Sequence, residues 1–117
     1  MNLLCATIKQ LARMQMQGDV NLDYEKLLPP VVFNAEAAMF DLNYFKYCFL
    51  KTTDVPVDEV RLERDMQEFA KSLVSLGQMS ASGFLYRDFQ SRNVMVCDGK
   101  PFFIDFQGGR RGPVYYD

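Results

Sequence analysis

Apolar side chains return at helical intervals three times along this chain and then change to an extended rhythm. Leu4, Ile8, Leu11 and Ala12, with Met14 and Met16 close behind, predict a helix over residues 2–17 that Gly18 stops. Residues 19–30 are polar and end in Pro29-Pro30, which reads as a loop. Asn34 is a good N-cap for a second helix running to about Leu50, in which Ala35, Ala38, Met39, Leu42, Phe45 and Phe49 keep helical spacing. Phe40, Tyr44 and Tyr47 add rings to the remaining faces, so this helix is expected to be covered on two sides.

Thr52 to Pro56 is a break, after which Asp58 caps a third helix and Val57 with Leu62 forms a hydrophobic staple. Leu62, Met66, Phe69, Leu73 and Leu76 make the clearest amphipathic stripe, and Arg61, Glu63, Arg64, Glu68 and Lys71 make its solvated face. The helical period stops at Gly77. Phe84-Leu85-Tyr86 then predicts a short strand, while Val94-Met95-Val96 and Phe102-Phe103-Ile104 flank the turn pair Asp98-Gly99 and predict a hairpin. Helices first and a small antiparallel sheet afterwards place the chain in the α+β class.

At 117 residues and 49% hydrophobic content the chain fits one domain with a modest core. The formal net charge is −2, and the basic excess of residues 81–117 over their acidic residues is a single charge, too small to argue for nucleic acid. Cys5, Cys48 and Cys97 are odd in number and fall in no metal-ligand spacing, so they read as buried thiols of a reducing compartment. No stretch approaches a membrane span or a secretory signal, which makes the cytoplasm the expected location. With no histidine in the chain, serine-type triads and His-ligated metals within it are excluded.

The chemistry concentrates in Tyr86-Arg87-Asp88-Phe89-Gln90-Ser91-Arg92-Asn93 and, beyond the hairpin, Ile104-Asp105-Phe106-Gln107-Gly108. The order Asp-x4-Asn, hairpin, Asp-Phe matches the paired catalytic and metal loops of phosphoryl-transfer enzymes. Asn93 precedes one hairpin strand and Asp105 follows the other, so antiparallel pairing brings an amide oxygen and a carboxylate within reach of one small cation. Mg²⁺ takes such hard oxygen donors, with phosphate oxygens and water completing its shell. Asp88 would face the gap where an acceptor hydroxyl sits.

These residues, with Gly112-Pro113 and Tyr116-Asp117 after them, resemble the C-terminal lobe of the aminoglycoside phosphotransferase and choline kinase family, distant relatives of protein kinases. The Asp-Phe-Gln form of the metal loop is similar to that of the amino-sugar kinase branch. The resemblance implies that Asp88 is the catalytic base, that Asn93 and Asp105 bind Mg²⁺ and through it the nucleotide, and that ATP or GTP is the donor to a small hydroxylated acceptor. The motif match covers residues 84–117, while the earlier helices agree only in order and type. Tyr86 stands where the family usually has His, and Gln107 replaces the acidic residue or Gly that commonly follows Asp-Phe.

Nothing in the sequence resembles a glycine-rich nucleotide loop or a phosphate-binding strand lysine. The chain is therefore read as a partial C-lobe, helical over residues 1–80 and carrying the catalytic loop, hairpin and metal loop over residues 81–117, with the N-lobe and closing C-terminal helices absent. Such a partial lobe is expected to show no turnover by itself, since positioning of the donor phosphates depends on the absent parts, and surface uncovered in this way would favour self-association. The alternative to an enzyme is a catalytically inactive kinase-like fragment that serves as an interaction module. Asp98 reads as a turn residue, the seven methionines as core filler, and Gly108 to Gly112 as a weak, single Arg-Gly segment.

Overall fold

The computed structural model describes residues 2–79 and 82–117. It has three helices, α1 (Leu3–Gln17), α2 (Ala35–Cys48) and α3 (Glu59–Met79), followed by four strands, β1 (Ser82–Leu85), β2 (Val94–Cys97), β3 (Lys100–Phe103) and β4 (Arg110–Pro113). The class is α+β, as the sequence pattern requires. The capping chemistry is where it was expected: the Asn34 side chain accepts from the Ala37 N–H at 2.9 Å, and Asp58 accepts from the Arg61 N–H at 3.0 Å. Gly18 closes α1.

The strands form two ribbons rather than one sheet. β2 pairs with β3 from Val94 opposite Phe103 to Cys97 opposite Lys100, around a turn whose Asp98 and Gly99 both have positive φ, 49° and 71°. That is the twist a two-residue hairpin needs. β1 ends one residue earlier than expected, at Leu85, and pairs with β4. The Arg-Gly segment is thus part of a strand. Gly112 serves close packing there, since a Cβ on it would lie 2.7 Å from the Phe33 Cβ.

β1 alternates between two cores, as a strand with both faces covered must. Leu85 joins Phe33, Ala37, Ala38, Ala70 and Leu73 between α2 and α3. Phe84 and Tyr86 point the other way, to Leu11 of α1, with Phe89 and Phe103 packed alongside. The segment before α2 is tied to the edge of β4: Phe33 N–H donates to the Arg111 carbonyl at 2.7 Å and Arg111 N–H to the Val31 carbonyl at 2.8 Å.

Four expectations about burial and length change. Cys5, Cys48 and Cys97 are exposed: Cys5 lies on the outer side of α1, Cys48 is the last residue of α2, and Cys97 adjoins the hairpin turn. α2 turns its small residues Ala37 and Ala38 to the core, which leaves Phe40, Tyr44, Phe45 and Tyr47 at least half exposed rather than covered. In α3 the buried line is Met66, Ala70, Leu73 and Gly77, while Phe69 and Leu76 lie outside it. Gly77 does not end α3, which continues to Met79. A Cβ at Gly77 would meet the Pro113 Cβ at 2.6 Å, so glycine is there to let β4 approach.

A buried lysine joins the helices. Lys46, 5% exposed, reaches Glu59 at 3.2 Å and Glu63 at 3.8 Å on α3.

Candidate active site

The loop from Tyr86 to Asn93 is closed by its own hydrogen bonds. Gln90 N–H donates to the Asp88 carbonyl and Asn93 N–H to the Gln90 carbonyl, each at 2.9 Å. The buried Asn93 side chain then turns back: its Nδ2 donates to the Asp88 carbonyl and to Asp88 Oδ2, both at 3.0 Å. Gln90 Nε2 donates to the other Asp88 oxygen, Oδ1, at 2.5 Å. The five-residue spacing from Asp88 to Asn93 is therefore the length of one compact turn that orients the Asp88 carboxylate.

Asp105 enters from the opposite side of the hairpin, as its position after β3 demands. Ile104 N–H donates to the Asn93 carbonyl at 3.1 Å and so continues the β2–β3 pairing one step beyond the strands. Asp105 follows in the left-handed region, φ 60°, uncommon for a residue with a Cβ. Tyr86, with no exposed surface, donates its phenol proton to the Ile104 carbonyl. This tyrosine ties the loop of Asp88 to the loop of Asp105. Burial, then the charges of Asp88, Asp105 and Asp117, push its pKa above the usual phenol range.

Asp88 and Asp105 line a single cavity of about 370 Å³, together with Arg87, Asp41, Gln107 and Tyr116. Asn93 lies behind Asp88 rather than on that wall. Of the site's neighbours, Asp41 carried no role in the sequence reading, and Tyr116 and Asp117 entered it only as part of the resemblance. Asp41 of α2 accepts from Arg87 Nη2 at 2.6 Å and Nε at 3.3 Å, and from the Tyr116 hydroxyl at 2.6 Å. The hydrogen bond to Asp41 raises the Arg87 pKa; burial first, then the same carboxylate, raise that of Tyr116. Asp117 accepts the peptide N–H groups of Tyr86 and Arg87. The available signal for Asp41 was a lone carboxylate within the apolar run Met39-Phe40-Asp41-Leu42.

The donor set suits a hard cation. Among the described residues no group of three or more His, Cys, Asp or Glu gathers as a closed metal cage. Mg²⁺ seldom uses one: it is held by one or two protein oxygens, with substrate phosphates and water. Asp105 offers a carboxylate on the cavity wall, and Asn93, whose Nδ2 protons both face Asp88, has its amide oxygen as the remaining ligating atom. The hard oxygen donors of Asp105 and Asn93 therefore suit the ion in kind, Asp105 being the one of the two on the cavity wall.

The family model described as the phosphotransferase enzyme family matches residues 4–117. The match takes in all three helices, well beyond the motif-bearing end where the resemblance was first legible. No curated protein and no solved structure gives a match. Because the family model spans the helices as well as the loops and strands, the assignment rests on nearly the whole chain, and the protein belongs to the phosphotransferase enzyme family.

Proposed function

We propose that the site transfers the terminal phosphoryl group of ATP or GTP to a hydroxyl of a small molecule, an amino sugar or aminoglycoside being the first choice. The observation that carries this reading is that Asp88 and Asp105 share one cavity wall while Asn93 holds the Asp88 carboxylate from behind.

Asp88 takes the proton of the acceptor hydroxyl as that oxygen bonds to the transferred phosphorus and the bond to the nucleoside diphosphate breaks. Each Asp88 oxygen already accepts one hydrogen bond, from Gln90 or from Asn93, and each keeps a second lone pair for the acceptor. The two amides fix the carboxylate before substrate arrives, which is where positioning saves activation free energy. Asp105 and the Asn93 amide oxygen would hold Mg²⁺, which when bound supplies charge neutralisation to the donor phosphates. Arg87, neutralised by Asp41, adds little net charge at this wall. The cytoplasm, where nucleotide donors are abundant, is the proposed location.

The test separates binding from transfer on the same variants of the full-length enzyme. Asp105→Ala is expected to weaken Mg-nucleotide affinity in titration, and Asn93→Ala to do so more mildly. Asp88→Asn is expected to keep that affinity and to lower kcat by about 10²–10⁴-fold, the range of a positioned general base. Near wild-type turnover in Asp88→Asn, or unchanged metal dependence in Asp105→Ala, would overturn the assignment.

The exposed rings of Phe40, Tyr44 and Tyr47 favour a second reading, an interaction module that associates with another copy of itself. It gains if the protein binds no Mg-nucleotide and light scattering shows a concentration-dependent dimer that Phe40→Ser disrupts. A monodisperse monomer that binds Mg-nucleotide removes it.

A further inference from the structure

Next to the cavity of Asp88 and Asp105 lies a second, of about 570 Å³, and Arg87 belongs to the walls of both. The second is built from the start of α2 at Asn34 and Glu36, from Phe40, from Pro30, and from the guanidinium side chains of Arg87 and Arg110. Its charge balance is unusual.

Arg110 is 6% exposed, and among the described residues its side chain makes one hydrogen bond, from Nε to the Gly108 carbonyl at 3.2 Å. Among the described residues no carboxylate lies within ion-pair distance of it, while Arg87, Arg111 and Lys46 all have one. Asp41, whose charge Arg110 also feels, is already taken by Arg87 and Tyr116. Burying a cation without a partner is costly, and burial followed by repulsion from Arg87 lowers the Arg110 pKa. No side-chain nitrogen or oxygen in the described residues is fully sealed without a partner, so the end of Arg110 stays open, and the open space it borders is this cavity.

The start of α2 acts in the same direction. A 14-residue helix carries a partial positive charge at its N-terminus, where anions are stabilised. Glu36, exposed in the first turn of α2, is the one carboxylate in the cavity wall.

We propose that this second cavity holds an anionic group, a carboxylate or a phosphate, of an acidic sugar acceptor rather than a cationic aminoglycoside, with Arg110 as its principal partner and the α2 N-terminus as its second. Calling the ligand the acceptor rests on the phosphotransfer reading above; the anion site itself does not. Arg87, in the walls of both cavities, then marks the passage from the charged end of the acceptor to the hydroxyl facing Asp88.

The experiment titrates the full chain, without nucleotide or metal and at low salt, with glucuronate, glucose 6-phosphate and glucose, following amide shifts by NMR. At least one charged sugar is expected to bind about tenfold or more tightly than glucose, the scale of a charge-assisted bidentate contact. The stronger of the two identifies carboxylate or phosphate as the group held. Arg110→Gln should abolish the preference, and Arg110→Lys, which keeps the charge without the planar fork, should retain part of it. Glu36→Gln changes only an exposed side chain and should tighten the charged sugars while leaving glucose alone, which keeps the test decisive if Arg110→Gln fails to fold. Equal binding of all three sugars, a preference that survives Arg110→Gln, or no response to Glu36→Gln would overturn the proposal. If Asp105→Ala loses Mg-nucleotide affinity while the sugars bind equally, the anion site alone falls; if the preference holds and no Mg-nucleotide binds, the phosphotransfer reading alone falls.

Discussion

The Asp117 carboxylate accepts the peptide N–H of Arg87 at 2.6 Å across thirty positions of chain. The same carboxylate accepts the Tyr86 N–H at 2.8 Å and the Gln15 amide at 2.9 Å. Arg87 sits at φ 73°, a conformation that costs an L-residue about 1–2 kcal/mol, so something outside the loop has to hold it there. Asp117 does this by taking up two consecutive N–H groups that would otherwise lack acceptors. Asp117→Ala is therefore expected to destabilise the fold by about 2–4 kcal/mol, from buried donors left unmade. Asp117→Asn keeps one acceptor oxygen and is expected to cost about half as much. Urea unfolding of the two variants checks the order, and an alanine variant as stable as wild type would contradict it.

Tyr86 is the second clamp. Tyr86→Phe leaves the ring among Phe89 and Phe103, 6.2 and 5.9 Å away between centroids, and removes only the bond to the Ile104 carbonyl. The expected loss is about 1–2 kcal/mol, with faster amide exchange confined to residues 104–108. Tyr86→Ala should cost about 3–5 kcal/mol, because the ring fills the core as well. Hydrogen exchange separates the two effects. Exchange in Tyr86→Phe that quickens uniformly would show that the phenol does not act on the Asp105 loop.

Two glycines should resist substitution for different reasons. Gly112→Ala places a methyl 2.7 Å from the Phe33 Cβ and 3.1 Å from Leu85 Cδ2, an overpacking cost of about 1–3 kcal/mol. Gly99→Ala meets nothing within 4 Å, yet its φ of 71° costs about 1 kcal/mol through the backbone. Trimming the neighbour distinguishes them. Leu85→Val should recover part of the loss in Gly112→Ala, and no core change should rescue Gly99→Ala.

The helices, their caps and the hairpin were legible because each is set by local chemistry: Asn34 and Asp58 bond their own first turns, and Asp98-Gly99 makes its own turn. The outer faces were not. Gln15 is buried while Ile8 is exposed, since Gln15 donates to the Val114 carbonyl and to Asp117 at the far end of the chain; no helical period contains that. β4 was hidden because Gly112 and Pro113 have low strand propensity; it is placed by pairing with β1 and by the close packing of Gly112 on Phe33 and of Pro113 on Gly77. The spacing of Asp88, Asn93 and Asp105 was readable as one loop and one hairpin. Asp41 was not, because its partners Arg87 and Tyr116 lie 46 and 75 residues away, and the cavity beside Arg110 is lined by residues 29–40 and by Arg87, distant from it in sequence.

The tyrosines give the protein a sensitivity to alkali. Tyr116 donates to Asp41 at 2.6 Å and Tyr24 to Asp19 at 2.6 Å, and in both burial and then the carboxylate raise the phenol pKa. Tyr86 is shifted the same way. In the unfolded chain these phenols ionise near pH 10, whereas the native state keeps their protons to higher pH. Above pH 10 the native state thus binds more protons than the unfolded one, and stability falls as pH rises; below that pH the contribution is fully present. The slope is about 1.4 kcal/mol per pH unit for each retained proton. Tyr116→Phe should be less stable than wild type at neutral pH, because Asp41 loses a donor, and should lose stability less steeply above pH 10. Urea unfolding on both sides of pH 10 measures the two slopes. If Tyr116→Phe and wild type decline in parallel, the Tyr116 proton is not held by Asp41, and the network that orients Arg87 has to be drawn without it.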